Sequence, residues 1–297
     1  VATDAIHSDF NASMPAPLFE PLSLLEWTHA AAIVNDFKQQ ILLPRMYSYS
    51  GPKIIKGDIN KDGLTDLFVC GPAGQRSALF VQSSGGKFIE TNKEVFAVDE
   101  SAQDENAGFL DVDGDGDIDL FVVSGSYNAM VSDMQDRLYL NDGQGIFTKS
   151  TGAIPTENYC GSVVVPMDIE KDGDIDLFVG NRMVPGKYPV SQASRILINN
   201  GQGIFSDQTI SICPALDQIG MVTDALTADL NKDGLQDLII VGEWMPVKIF
   251  ISNGTTLEDK TSSWISWENN GWWSKIQGAD YDDDGDVDLV IGNAGDN

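Results

Sequence analysis

The chain has 297 residues, of which 42% are hydrophobic, and this composition predicts a globular protein with one large core or two ordinary ones. No apolar run approaches the ~18 residues of a membrane span, so we expect no membrane insertion. With 45 acidic and 18 basic residues the formal charge is −27, which argues against nucleic acid or an anionic membrane as a partner, because both attract basic patches.

The first fifty residues lack the pattern that repeats through the rest of the chain. Residues 1–17 are polar, with Ala and Pro, and are predicted to form an N-terminal tail, so the domain is expected to span residues 18–297. Residues 19–23 match the pattern of the fourth strand in the repeated unit of residues 51–297. This match is expected if they help to close a ring of such units. Residues 29–40 predict one short helix or an irregular cap.

A nine-residue acidic string then recurs five times, with its first aspartates 53, 57, 61 and 51 residues apart. The copies are DINKDGLTD at Asp58, DVDGDGDID at Asp111, DIEKDGDID at Asp168, DLNKDGLQD at Asp229 and DYDDDGDVD at Asp280. An interval near ~50 residues is typical of a propeller blade. The strings hold 22 of the 45 acidic residues, so the negative charge is concentrated in them.

The spacing within each string suits a hard cation. Oxygen-bearing side chains stand at positions 1, 3, 5 and 9, and position 6 is Gly, which a sharp turn with positive φ requires. Calcium takes roughly 6–8 oxygen ligands. An EF-hand is excluded, because position 12 is Val or Ile instead of Glu and each string runs into a β-rich apolar segment. The alternative is a solvated acidic turn without metal, which does not account for five copies in register.

We therefore predict up to five Ca²⁺ ions, held by side chains at positions 1, 3, 5 and 9 and by the carbonyl of position 7. Glu170 is one methylene longer than its counterparts, which makes the third site the least regular. The predicted ligands are Asp58, Asn60, Asp62, Leu64 and Asp66; Asp111, Asp113, Asp115, Asp117 and Asp119; Asp168, Glu170, Asp172, Asp174 and Asp176; Asp229, Asn231, Asp233, Leu235 and Asp237; and Asp280, Asp282, Asp284, Asp286 and Asp288.

Aligned on the strings, the repeats share one plan of four antiparallel strands, A to D, with the string as the A–B hairpin. The repeats begin near residues 53, 106, 163, 224 and 275, and the last stops after strand B. Strand D begins after nearly identical turns, NDGQGIF at Asn141 and NNGQGIF at Asn199. This plan predicts an all-β propeller of at least five blades. The last blade would be completed by the N-terminal segment or by missing C-terminal sequence.

Few other residues suggest chemistry. The two histidines, His7 and His29, lie outside the repeats, which excludes a His-centred catalytic triad or zinc site in the propeller. The three cysteines do not form a disulfide scaffold. We interpret Cys70 as core packing, whereas Cys160 and Cys213 either pair across neighbouring repeats or remain unpaired.

The strings D-x-[DN]-x-D-G-x-x-D-[LI], followed by [FI]-V-x-G, resemble the FG-GAP/VCBS repeats of integrin α-subunit propellers and of many bacterial surface proteins. The likeness covers about residues 51–297. The opening NDFKQQILLPRMYSYSGP and the GWW segment are similar to the cartilage-acidic-protein type, which often carries an ASPIC/UnbV domain. The resemblance implies seven blades, calcium in the A–B hairpins and partner binding on the opposite face; the chain departs from it in having five strings.

Two functions follow as hypotheses. The first is a calcium-rigidified binding, adhesion or scaffold module without catalytic activity, outside the cell or in its envelope, which binds a protein or glycan and can belong to a larger envelope complex. The second is a propeller-type carbohydrate-active enzyme, which would need two acids ~5–10 Å apart in a pocket. Candidate recognition segments are residues 124–136, 181–194 and 242–246, with Trp264, Trp267, Trp272 and Trp273 as stacking or packing residues.

Overall fold

The computed structural model describes residues 25–31, 34–48, 51–128 and 133–295, and the structural statements below concern those residues. The predicted tail and the strand-like residues 19–23 lie outside them. Within residues 29–40 one helical turn is present, α1 (Asp36–Gln39). The described helices are four or five residues long, and none has the length and apolar character needed to cross a membrane.

The repeats fold as four-stranded antiparallel sheets in the order A-B-C-D, as the sequence predicts. The first two sheets are β1 (Ile54–Gly57), β2 (Asp66–Val69), β3 (Ala78–Gln82) and β4 (Phe88–Thr91), then β5 (Asp104–Leu110), β6 (Asp119–Ser124), β7 (Arg137–Asn141) and β8 (Phe147–Ser150). The next two are β9 (Gly161–Met167), β10 (Asp176–Asn181), β11 (Arg195–Asn199) and β12 (Phe205–Asp207), then β13 (Met221–Ala228), β14 (Asp237–Pro246), β15 (Lys248–Ser252) and β16 (Leu257–Asp259).

The fifth repeat contributes β17 (Asn270–Ala279) and β18 (Asp288–Asn293) to the described residues. Short helices α2 (Lys93–Ala97), α3 (Thr209–Ile212) and α4 (Thr261–Trp264) follow strand D in three repeats, and a 3₁₀ turn spans Pro214–Gln218. The fourth and fifth repeats are joined more closely than the plan anticipates, because β14 runs on to pair Glu243 with Trp272 and Pro246 with Asn270.

The blades follow one another radially. Strand A of each repeat contacts strand A of the next, from β1 to β5, β9, β13 and β17. Apolar clusters fill the space between successive blades, and the central residues of strand B lie in them fully buried, for example Phe121 and Phe178. This arrangement is propeller-like, and the apolar segment after each acidic string forms its core because both faces of strand B are covered.

A β-bulge recurs near the start of strand A. In the second to fifth repeats the register skips one residue at the same place: Glu105, Ser162, Thr223 and Ser274. The Ser162 hydroxyl donates to the Val222 carbonyl at 2.8 Å, and the Thr223 hydroxyl donates to the Trp273 carbonyl at 2.8 Å. In the third and fourth repeats the bulge residue thus ties the inner strand to the next blade.

Candidate functional site

All five acidic strings fold into the same hairpin loop. Position 9 pairs with the residue before position 1, as Leu110 does with Asp119, so each string closes the turn between strands A and B. The position 1 carboxylate accepts hydrogen bonds from loop N–H groups, including that of the position 6 glycine in every copy; in the first loop Asp58 accepts from Asp62 at 3.1 Å and from Gly63 at 2.8 Å.

The turn needs two residues with positive φ. The position 6 glycines have φ between 81° and 94°, which confirms the sequence prediction. Position 4 also has positive φ, which the sequence analysis missed because only Gly114 among these five residues is a glycine. The other four are Lys61, Lys171, Lys232 and Asp283, with φ of 58° to 62°. Side chains rarely adopt this conformation, so its recurrence at one position shows how strongly the loop geometry is imposed.

The position 9 aspartates hold each loop to its sheet by hydrogen bonds. Each accepts an N–H bond from position 2 of its own loop, and in the first four repeats its other oxygen accepts from the end of strand C. Asp119, for example, accepts from Val112 at 3.1 Å and from Asn141 at 2.8 Å. Burial raises the pKa of Asp119 and Asp176 to about 6, although these N–H bonds oppose the shift.

The loops differ in how many carboxylates they bring together. In the second loop Asp111, Asp113 and Asp115 have oxygens within 4.8 Å of one another, and Asp280, Asp282 and Asp288 do so in the fifth. Oxygen donors on a sharply turned backbone suit a hard cation such as Ca²⁺. The first and fourth loops have Asn60 and Asn231 at position 3, where each amide donates to the position 5 carboxylate. Within the described residues Glu170 joins no such acidic group.

We call these five loops the loop face. Neighbouring loops touch across blades: Lys61 pairs with Asp117 at 2.6 Å, and the buried Asn199 amide donates to the Val112 carbonyl at 2.7 Å in the preceding blade. Asn141 makes the equivalent bond to the Ile59 carbonyl at 2.7 Å. The two near-identical turns that begin with these asparagines therefore connect one A–B loop to the next, and Ser252 occupies the equivalent position of the fourth blade.

The other ends of the strands carry a polar-aromatic cluster, which we define as Tyr47, Tyr127, Arg182, Glu243 and Trp272. The Glu243 carboxylate accepts from the Tyr47 hydroxyl at 2.7 and 2.8 Å and from the Arg182 guanidinium. Arg182 also donates to the Tyr127 hydroxyl and lies 4.7 Å from the Tyr47 ring centroid. Glu243 and Tyr47 are buried, and burial raises the pKa of Tyr47. The cluster thus joins residues 34–48 to the second, third, fourth and fifth repeats.

Aromatic side chains extend the cluster to the surface. Trp244 stacks on Trp272 with ring centroids 5.5 Å apart, and its indole N–H donates to the Tyr188 hydroxyl. Trp244 has a φ of 57° and is 56% exposed, an uncommon conformation for a bulky residue, which is imposed by the bulge between Glu243 and Met245. Such outliers concentrate at functional sites.

A cavity of about 210 Å³ lies beside the cluster. It is located where the first residues of strand A from all five repeats come together. Its charged lining residues are Arg45, Lys53, Glu105, Arg182, Glu243 and Lys275, and the bulge residues Ser162, Thr223 and Ser274 also line it. Burial raises the pKa of Glu105 to about 7, although a bond from Gln103 opposes the shift. Lys275 pairs with Asp224 at 3.0 Å.

The structure brings together part of what the sequence suggested. The predicted recognition segments supply Tyr127, Arg182 and Glu243, and the aromatic stretch supplies Trp272. Trp273 packs in the core between the last two repeats, and Trp264 and Trp267 are exposed elsewhere. Sequence reasoning missed Arg45, Tyr47, Lys53 and Glu105, because none belongs to a repeated pattern. The three cysteines are buried and free, so Cys160 and Cys213 do not pair.

Two solved structures are similar to this chain, and the first of them supports the fold. The structure of an Agrocybe aegerita lectin that recognises non-reducing terminal N-acetylglucosamine is similar, with a TM-score of 0.53 at 19% identity over 82% of this chain and 60% of the lectin. The V. cholerae biofilm matrix protein Bap1 gives a TM-score of 0.42 at 16% identity over 81% of this chain and 34% of Bap1. The chain therefore spans less than two thirds of either protein.

At the sequence level, a comparison with curated proteins gave no significant match. The family model for FG-GAP-like repeats matches residues 58–122, 111–179 and 229–291, which together make up more than half of the chain and include all five acidic strings in full. The chain belongs to the FG-GAP repeat family.

Proposed function

We propose that this protein is a calcium-stabilised binding module whose recognition surface lies on the face opposite the loop face. The observation that carries the proposal is the division of the chain into two faces. One face repeats the same oxygen-rich hairpin, and the other gathers side chains from different blades around one cavity. The repeated face suits a structural ion, and the unrepeated face suits a specific ligand.

Calcium would act on the loop face by neutralising charge and fixing the hairpins. The position 1, 3, 5 and 9 side chains and the position 7 carbonyl would hold it, with up to five ions per chain. The loops touch across blades through Lys61 and Asn199, so an ion in one loop would also restrain its neighbour. Binding to the folded loops alone stabilises the fold by mass action.

We place the protein outside the cell or in the cell envelope. Loops with Asn at position 3 and no bidentate Glu suit the millimolar calcium of extracellular modules. A glycan is the first ligand class to test, because the lectin with a similar fold recognises a sugar. A protein partner, including one within a larger envelope complex, is the second, because exposed aromatic residues such as Trp244 also anchor protein interfaces.

A glycan array and a protein pull-down, both in millimolar calcium, test this proposal. We expect captured ligands to be lost when Trp244→Ala removes the exposed ring beside the cluster. Trp267→Ala is the matched control, because Trp267 is 68% exposed but lies away from the cavity. A ligand that tolerates Trp244→Ala and is lost with Trp267→Ala would place recognition elsewhere and contradict the proposal.

A carbohydrate-active enzyme is the second candidate, because Glu105 and Glu243 line one cavity. We propose binding without catalysis, since Glu243 is held by Tyr47 and Arg182, so it is poorly placed to act as a nucleophile or general base. Turnover of acidic or neutral oligosaccharides that disappears in Glu105→Gln would favour the enzyme. Binding retained in Glu105→Gln, with no turnover by the original chain, would favour the binding module.

A further inference from the structure

The central cavity is rich in basic groups in a chain that is strongly acidic. Arg45, Lys53, Arg182 and Lys275 are four of the 18 basic residues, and all four line the same space of about 210 Å³. Glu243 pairs with Arg182 and Asp224 pairs with Lys275, and Glu105 also lines the space, so four cations face three carboxyl groups. Neither Arg45 nor Lys53 forms an ion pair with any described carboxylate. The cavity therefore carries an excess of positive charge.

Two of these cations repel each other, and Asp224 offsets this repulsion only in part. The Lys53 and Lys275 ammonium groups lie close enough to interact, and burial together with this like charge lowers the pKa of Lys53 to about 8. Arg45 is held over the rings of Tyr47 and Trp272, at 5.0 and 5.6 Å from their centroids. An anion placed among these groups would offset a repulsion that the fold otherwise has to bear.

A second observation concerns unused hydrogen-bonding capacity. Arg182 is buried, and its Nε has no hydrogen-bond partner within the described part of the chain. Leaving a buried donor unpaired is costly, and guanidinium groups match the planar geometry of a carboxylate. Arg182, which lines the cavity, thus keeps one buried donor without a partner in the described part of the chain.

The hydroxyl groups of the cavity indicate which other groups the ligand carries. Ser162, Thr223 and Ser274 each donate their hydroxyl hydrogen to a backbone carbonyl, at 2.8, 2.8 and 3.2 Å. Each has then used its one donor, so its oxygen remains as an acceptor. Acceptors beside cationic donors match a molecule that carries both hydroxyl groups and a carboxylate.

We propose that this cavity binds one carboxylate-bearing sugar unit, such as a hexuronate, with Arg45, Lys53 and Lys275 at its carboxylate and the bulge hydroxyls at its ring hydroxyls. This inference rests on the proposed function, whose ligand class it narrows. The cavity volume of about 210 Å³ suits one monosaccharide unit. It is below the ~300–1,000 Å³ of pockets that enclose larger ligands, so a longer glycan would enter by one unit.

Isothermal titration of the full chain in millimolar calcium with glucuronate tests the inference. Glucose, which lacks the carboxylate, and acetate, which lacks the ring, are the matched ligands. We expect glucuronate to bind at least about tenfold more tightly than either, because each loses one half of the recognition. Equal binding of glucose and glucuronate would overturn the inference.

Variants of the cavity make the same test from the protein side. Lys53→Met removes the charge and keeps the stem, and should weaken glucuronate binding about tenfold or more. Lys248→Met is the control, because Lys248 pairs with Asp259 on the outer part of the fourth blade. Arg45→Ala serves as a second variant if Lys53→Met does not fold. Unchanged affinity in the folded cavity variants would contradict the inference.

The outcomes separate this inference from the proposed function. In one outcome glucuronate fails to bind, while the original chain binds a neutral glycan or a protein and Trp244→Ala does not. In that case the inference is wrong and the binding module stands. If an acetylated aspartate peptide binds more tightly than glucuronate, the site recognises a peptide carboxylate and the sugar assignment is wrong. If glucuronate binds and Lys53→Met abolishes it, both are supported.

Discussion

The loop face and the polar-aromatic cluster are built from different kinds of sequence information. Each loop is complete within nine residues, and its hydrogen bonds recur from copy to copy, as between Asp58 and Gly63 and between Asp229 and Gly234. The cluster joins Tyr47 to Glu243, 196 residues away, and no member of it is repeated. The difference shows that repetition in this chain preserves a local hairpin geometry, while the opposite face is free to vary from blade to blade.

The two faces should also differ in what stabilises them. The loop face has a dense negative charge, so its stability would depend on bound cations. The cluster is buried and paired internally, so its stability should not depend on calcium. The following predictions test this contrast, from the largest expected effect to the smallest.

Calcium removal should have the largest effect. Each loop occupied at 100 times its Kd would add about 2.7 kcal/mol to the free energy of unfolding, so several loops together should exceed any single substitution. Calorimetric scans in EGTA and in millimolar Ca²⁺ should give clearly different unfolding midpoints. Mg²⁺ should replace Ca²⁺ poorly, because it requires a tighter octahedral shell. Identical unfolding midpoints in EGTA, Ca²⁺ and Mg²⁺ would contradict the proposed dependence of the loop face on calcium.

Breaking the cluster should come next. Glu243→Ala leaves the Arg182 guanidinium buried without its carboxylate, which should cost about 3–5 kcal/mol in the free energy of unfolding. Chemical denaturation should show the same loss in EGTA and in calcium. The double variant Arg182→Met with Glu243→Leu is the control and should lose less, because it removes both charges. A loss of the free energy of unfolding that appears only in calcium would show that the cluster is coupled to the loops, which contradicts the contrast between the two faces.

Two aspartates of one loop should behave differently without metal. Asp119→Ala removes the acceptor of two buried N–H groups, and each unpaired group costs about 1–3 kcal/mol. Asp115→Ala, at an exposed position of the same loop, should change the free energy of unfolding little in EGTA. Both should reduce the calcium-dependent increase in the midpoint. Equal changes in the free energy of unfolding for the two substitutions in EGTA would contradict the role of position 9 in holding the loop to the sheet.

The connection between loops should contribute a smaller amount. Asn199→Ala removes the bonds to the Val112 and Ile175 carbonyls, at 2.7 and 3.1 Å, and should cost about 1 kcal/mol. Ser252→Ala is the matched variant in the fourth blade, where the equivalent side chain accepts a bond within its own turn. Urea denaturation should rank Asn199→Ala as the more destabilising, and the reverse order would argue against a connection between blades.

The last prediction concerns a slope of stability with pH instead of a loss at one pH. Because the pKa of Glu105 is raised from 4.5 to about 7, the folded chain keeps this proton over a range in which the unfolded chain has lost it. The contribution of Glu105 to the free energy of unfolding therefore falls as pH rises from about 4.5 to about 7. Glu105→Gln should remove this part of the slope in denaturation series at pH 5 to 8, whereas Glu94→Gln, an exposed control, should not.

Sequence reasoning predicted the parts of the fold that are local and repeated. The four-strand plan and the positive φ of Gly63 and its counterparts follow from spacing alone. The positive φ at Lys61 was not predictable from residue type, because a lysine gives no such signal. The double role of Asp119 was also missed, since its strand C partner is distant in the sequence.

The candidate binding site was predicted only in outline. The segments around Arg182 and Glu243 were identified by their variation between repeats, but their pairing depends on how two blades pack. Arg45 and Tyr47 come from a segment without a repeat signature, and Lys53 shows no sign in the sequence of facing Lys275. These contacts arise from tertiary packing, for which one sequence has no periodic signal.

A crystal structure determined in millimolar calcium tests the central claim most directly. We expect density for an ion in the A–B loops, beginning with those that contain Asp111 and Asp280, with 6–8 oxygen ligands at about 2.3–2.6 Å. Well-ordered loops without bound ions at that calcium concentration would contradict the account, because the loop face would then be stable without the ligand that its repeated carboxylates are proposed to hold.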